Sequence, residues 1–173
     1  DLWQWICGVP KSVFAKCAFG FQRDIVVEDE VNALVDFGGG ATGTFITCTN
    51  DIVGTDRLEI LCDNGKIVVD ASNKVTITRL KLSERELAQK LTMQEVSLLF
   101  RGQLDLSQWM ETEVKDYGSV WGKQHIEVLT NFAAAVRGEG ELLAPGGDGI
   151  HGVRLANAIH LSSWTGQEVS IEN

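Results

Sequence analysis

The chain has 173 residues, with 15 Lys and Arg against 24 Asp and Glu for a formal net charge of -9, and the lack of any basic cluster excludes a phosphate-tracking nucleic-acid surface. A hydrophobic content of 44% with only two prolines excludes a disordered tail and suits one packed domain over residues 1–173. No apolar run approaches the roughly 18 residues needed to cross a bilayer, and no signal-peptide pattern opens the chain, so the expected setting is cytoplasmic with no membrane partner.

The first element is an amphipathic stretch, Leu2, Trp3, Trp5 and Ile6, which reads as the end of a helix already under way. Together with an opening Asp1 in place of methionine, it marks the chain as a piece of a longer protein. After Gly8-Val9-Pro10 come six strand-length segments: Ser12 to Gln22, Ile25 to Phe37, Ala41 to Thr49, Asp56 to Cys62, Lys66 to Asp70 and Lys74 to Leu80. In the second, Val27, Val31, Ala33, Val35 and Phe37 alternate with Glu28, Glu30, Asn32 and Asp36, the period of two that defines a half-buried strand. Gly38-Gly39-Gly40, Asp63-Asn64-Gly65 and Ala71-Ser72-Asn73 are hairpin-length links, so the strands form an antiparallel meander.

Ser83 to Lys90 reads as a short helix and 92–115 as possible further strand. Gln124 to Arg137 carries Ile126, Leu129, Ala133 and Val136 at helical spacing and stops at Gly138, a residue suited to a C-terminal cap. A second long helix is expected from about Asp148, its side chain capping the first turn, to about Trp164, with Ile150, Val153, Ala156, Ile159 and Ser163 facing inward. Glu168 to Ile171 adds a last short strand. The predicted fold is α+β: a single open, mainly antiparallel sheet with helices packed on one face. Thr42, Thr44, Ile46, Cys48, Thr76 and Thr78 belong to the other face, which suits either self-association or solvent.

The candidate chemistry is sparse. Cys7, Cys17, Cys48 and Cys62 are widely spaced among apolar residues, which argues for small hydrophobes and against a zinc site or disulfide framework. Gly38-Gly39-Gly40 and Gly146-Gly147-Asp148-Gly149 lack the parallel strand and helix that a nucleotide cradle needs. Of the three histidines, His125 opens a helix beside Trp121 and can face a cleft, while His151 and His160 read as packing or surface residues. In the run Glu28-Asp29-Glu30, alternation turns Asp29 inward as a buried hydrogen-bond acceptor. Asn50, Asp51, Thr55, Asp56 and Arg57 form a polar loop able to hydrogen-bond a polyhydroxylated ligand.

Several stretches in order resemble one family, the glucose-fructose oxidoreductase / inositol dehydrogenase (Gfo/Idh/MocA) family, along nearly the whole of its C-terminal domain. They are Asp1-Leu2-Trp3-Gln4-Trp5 with Gly8 and Pro10; Val27-Glu28-Asp29-Glu30; Gly40-Ala41-Thr42-Gly43-Thr44-Phe45; and Gly54-Thr55-Asp56-Arg57-Leu58-Glu59-Ile60 with Asp63 and Gly65. Gln124-His125-Ile126-Glu127-Val128-Leu129, Asn131-Phe132 and the run from Gly149 to Val169, including Ser162-Ser163-Trp164, continue the match.

The resemblance implies a parent with an N-terminal Rossmann domain that binds NAD or NADP, a cofactor for which this chain offers no site. This chain then supplies a sheet for homo-oligomerisation, as dimer or tetramer, and one wall of a cleft for a small sugar or polyol. The implied reaction is hydride transfer at a CH–OH group. Its lysine lies in the first domain and its histidine just before residue 1, so no catalytic residue falls in the chain, which is expected to be inactive alone. Asn50, Asp51, Thr55, Arg57, Trp121 and His125 are the implied substrate-binding residues. The alternative is a non-catalytic sugar-binding or scaffold domain of the same fold.

Overall fold

The computed structural model describes residues 2–119 and 122–171. The chain divides into two compact units, one drawn from residues 1–53 and 131–173 and the other from 54–130.

The first unit opens with helix α1, Leu2–Cys7, followed by strands β1, Ser12–Phe19, β2, Glu28–Gly38, and β3, Ala41–Cys48. They pair antiparallel, and β8, Val169–Ser170, completes a four-stranded sheet in the order β3-β2-β1-β8. Alternation gives the sheet its two faces, because register aligns Val13, Val35 and Gly43, then Ala15, Ala33 and Phe45. Val13, Ala15, Ala33 and Val35 meet Leu155, Ala158 and Ile159 of helix α5, Gly149–Thr165, and form the core with Val31 and Ile171. Trp3 of α1 closes one end, edge-on to Phe37 with ring centres 5.5 Å apart. The α1 amide Gln4, oriented to satisfy both partners, reaches the carbonyl of His151 and the amide of Gly152, each at 3.1 Å.

The opposite face carries Thr42, Thr44, Ile46 and Cys48, as alternation predicts, beside Phe14 and Leu34. Phe14, Leu34 and Ile46 are 47%, 54% and 70% exposed.

The second unit contains β4, Arg57–Cys62, β5, Gly65–Asp70, β6, Lys74–Leu80, and β7, Met110–Asp116, in that order in a second antiparallel sheet. Helices α2, Glu84–Lys90, and α3, Met93–Phe100, fill the β6–β7 connection. Helix α4, Lys123–Val136, begins in this unit and ends in the first. Thr76 and Thr78 share one face of this sheet with Arg57 and Glu59, while Leu58, Ile60, Ile67, Val69, Val75 and Ile77 share the other.

The α+β class and the open antiparallel strands agree with the sequence, while hydrogen bonding sorts the strands into two four-stranded sheets in place of one. Four local expectations are corrected. β1 ends at Phe19, short of Gln22, because Gly20 takes φ +60° and turns the chain into a loop that rejoins at Glu28. Residues 93–100 are helical, not strand: Thr92 and Glu95 form a reciprocal capping box, as Ser83 and Glu86 do for α2. Asp148 has no side-chain cap, since its backbone is already helical where a capping residue needs an extended one, and its amide bonds the Pro145 carbonyl in the turn that winds into α5. The inner stripe of α5 is Leu155, Ala158, Ile159 and Ser162, whereas Ile150 and Val153 are exposed.

Candidate functional site

The expected substrate residues are dispersed between the units. Asn50 and Asp51 belong to the first, and Thr55, Arg57 and His125 to the second; Trp121 lies outside the described residues.

In the first unit, the β1–β2 loop is drawn down onto the end of β3. Asp29, 1% exposed, accepts the backbone amides of Gln22 at 2.7 Å and Arg23 at 3.3 Å through Oδ2. The Gln22 amide, foremost among these donors, holds the Asp29 carboxyl below the usual carboxylate range. The loop so pinned directs the Arg23 guanidinium at the turn beyond β3, where Nε donates to Asn50 Oδ1 at 2.9 Å and Nη2 to the Thr49 carbonyl at 2.6 Å. The carbonyl of Asp29 accepts the Thr49 amide at 2.9 Å, tying the same turn a second time. With its oxygen fixed, Asn50 turns Nδ2 inward, where it is buried and without a hydrogen-bond partner, as is Asp29 Oδ1. A water satisfies a buried donor or acceptor of this kind.

The same unit holds an aromatic triad between β1 and α5. Phe19, His160 and Trp164 have ring centres 5.6 to 6.3 Å apart, and His160 Nε2 lies 3.2 Å from Glu28 Oε2. Packing accounts for His160, as the sequence suggested, and for His151, whose Nδ1 is buried.

In the second unit, Arg57 is engaged by its own sheet. Its guanidinium meets Glu59 at 2.8 Å and Asp70 at 2.9 Å, and Lys66 approaches Glu59 at 2.9 Å. Lys66 first and Arg57 second hold the Glu59 carboxyl low, while the Glu59 hydrogen bond raises Arg57 further. Four charges on one sheet face thus neutralise one another, which reduces what Arg57 offers a ligand. Thr55 is exposed in the link to β4, and His125 is exposed in the first turn of α4.

Sequence reasoning singled out Asn50 but missed Arg23, which fixes it. The signal was the glycine turn at Gly20 placed before the acidic run: a strand break there leaves Arg23 in a loop that the inward Asp29 can anchor.

No helix among the described residues is long and apolar enough to cross a membrane. Among curated proteins none matches this chain. Solved structures do match. The WlbA dehydrogenase from Bordetella pertussis in complex with NADH and UDP-GlcNAcA aligns over 100% of this chain and 45% of its own, with TM-score 0.71 at 21% identity. Levoglucosan dehydrogenase in complex with NADH and levoglucosan aligns over 100% and 48%, with TM-score 0.75 at 16% identity. An NAD binding oxidoreductase from Klebsiella pneumoniae aligns over 98% and 47%, with TM-score 0.71 at 14% identity. At these identities the likeness is one of fold, and the chain spans about half the length of these relatives. The model of the oxidoreductase family's C-terminal alpha/beta domain matches residues 1–171, and the chain belongs to the Gfo/Idh/MocA family.

Proposed function

We propose that the chain is the C-terminal domain of a longer NAD(P)-dependent oxidoreductase acting on a CH–OH group of a sugar, cyclitol or related compound. It supplies one wall of the substrate cleft and the surface for self-association. The family match over residues 1–171 carries this reading. The two dehydrogenases solved with NADH and either a sugar nucleotide or levoglucosan support its substrate class.

The dinucleotide does not fit this chain's own residues. Strand pairing is antiparallel throughout the described residues, Gly39 and Gly40 sit in the β2–β3 hairpin, and Gly146-Gly147 reach α5 from a turn. A cofactor cradle needs a parallel strand running through glycines into a helix, so the parent's other half would hold it.

What this chain contributes is binding and orientation. Asn50, its Oδ1 held by Arg23 and its buried Nδ2 without a protein partner, is the proposed polar contact at the end of β3, reaching substrate through a bridging water. Asp51, Thr55, Arg57, Trp121 and His125 complete the proposed contact set. Phe14, Leu34 and Ile46 form the apolar centre of the self-association face, with Thr42 and Thr44 around them.

The reading is tested by the reading frame upstream of Asp1 and by light scattering. A Gly-x-Gly-x-x-Gly strand-turn-helix followed by a histidine shortly before Asp1 is the expected frame, and an unrelated domain there leaves a sugar-binding or scaffold module. The chain should scatter as a dimer or tetramer at roughly tens of micromolar. Ile46→Lys with Leu34→Lys should return it to monomer.

A further inference from the structure

The second unit holds a half-open apolar pocket of about 340 Å³ beside α2 and α3. Leu80 and Met110, paired across the ends of β6 and β7, form its floor, and Leu87, Leu99, Leu106 and Trp109 form its walls. Its lining is almost wholly apolar although the pocket opens to solvent. Its volume falls within the range of small-ligand sites, which are apolar with a few polar groups for orientation.

One charged side chain lines it. Glu84 opens α2, where Glu86 is occupied by the Ser83 capping box and Lys90 sits in the last turn. The Glu84 carboxylate has neither hydrogen bond nor ion pair among the described residues, so negative charge is left unspent at the cavity's edge.

We propose that this cavity binds a small amphiphile: an apolar body that fits about 340 Å³, with an amine-type cationic head that pairs with Glu84. The proposal is independent of the oxidoreductase reading.

The chain has two methionines, and they form a built-in control: Met110 lines the cavity while Met93 is 85% exposed. Octylamine, 1-octanol and octanoate are titrated into the intact chain carrying 13C-labelled methionine methyls. The Met110 methyl should shift saturably and Met93 should not. Octylamine should bind about two- to fivefold more tightly than octanol, the range of an exposed ion pair, with octanoate weakest. Glu84→Gln should equalise octylamine and octanol without weakening octanol. Ala88→Phe, which adds a ring at an exposed wall position, should abolish the Met110 response to all three; Glu84→Gln, nearly isosteric, keeps the test decisive if that variant does not fold. No saturable Met110 shift, octanoate binding as tightly as octylamine, or octylamine still favoured in Glu84→Gln would overturn the proposal.

Discussion

The amide of Ala15 donates to the hydroxyl of Ser162 at 2.8 Å, and that hydroxyl donates onward to the carbonyl of Gln167 at 2.6 Å. β8 covers the outer edge of β1 only at Ser12 and Val13, so the strand's next edge amides need another acceptor. Ser162 serves Ala15, and Ser163 serves Cys17 at 2.8 Å. Two serines of a helix thereby finish a sheet edge.

Ser162→Ala leaves a buried amide and a carbonyl unsatisfied at a position with 0% exposure. The expected loss is about 2–3 kcal/mol in urea unfolding, with a smaller loss for Ser163→Ala, which is only part-buried. Equal and negligible losses would mean that water replaces both hydroxyls.

Gly43 owes its identity to Trp3. A Cβ at Gly43 would lie 2.2 Å from Trp3 Cζ2 and 3.1 Å from Phe37 Cε2. Gly43→Ala should therefore destabilise by about 1–3 kcal/mol through overpacking. Adding Trp3→Leu should give a double mutant less destabilised than the sum of the two changes, and strict additivity would show that the ring moves aside freely.

Acid should loosen the β1–β2 loop through Asp29. Its folded pKa lies below the usual carboxylate value because the Gln22 amide donates to the charged form. The stabilisation is complete above the unfolded pKa of about 3.9 and is lost as pH falls through the folded value. Hydrogen exchange at the Gln22 and Arg23 amides should rise, relative to its intrinsic rate, as pH drops below about 4. Asp29→Asn should remove that dependence; protection indifferent to pH in the parent chain would exclude the carboxylate as the anchor.

Much of this was legible in the sequence. Strict alternation from Val27 to Phe37 and short glycine or asparagine turns fixed the meander, and Gly138 and Gly166, both at positive φ, end the long helices where expected. Asp29 reads as buried because its neighbours alternate outward. The segment 92–115 offers possible strand, which β7 from Met110 bears out at its end, while at its start Thr92-x-x-Glu95 held the capping signature that begins α3. The pairing of Arg23 with Asn50 was out of reach, because 27 residues separate them and only the folded loop brings them together. The engagement of Arg57 by Asp70 likewise depends on strand register.

Asn50 is the most specific of the proposed substrate contacts. In the full-length parent, Asn50→Ala should raise KM about tenfold with a smaller change in kcat, as expected for one lost water-mediated hydrogen bond to bound substrate. Arg23→Ala should produce a milder effect in the same direction by releasing the Asn50 carbonyl. A kcat loss with KM unchanged would place Asn50 elsewhere in the reaction.

The most direct test is to follow the reduced-nicotinamide absorbance band while the full-length parent is offered NAD or NADP with a panel of sugars, sugar acids, sugar nucleotides and cyclitols. The account predicts turnover with at least one polyhydroxylated compound and none from the 173-residue chain alone. A parent that binds such a compound yet never reduces nicotinamide with any member of the panel would contradict it, and would make this domain a binding module.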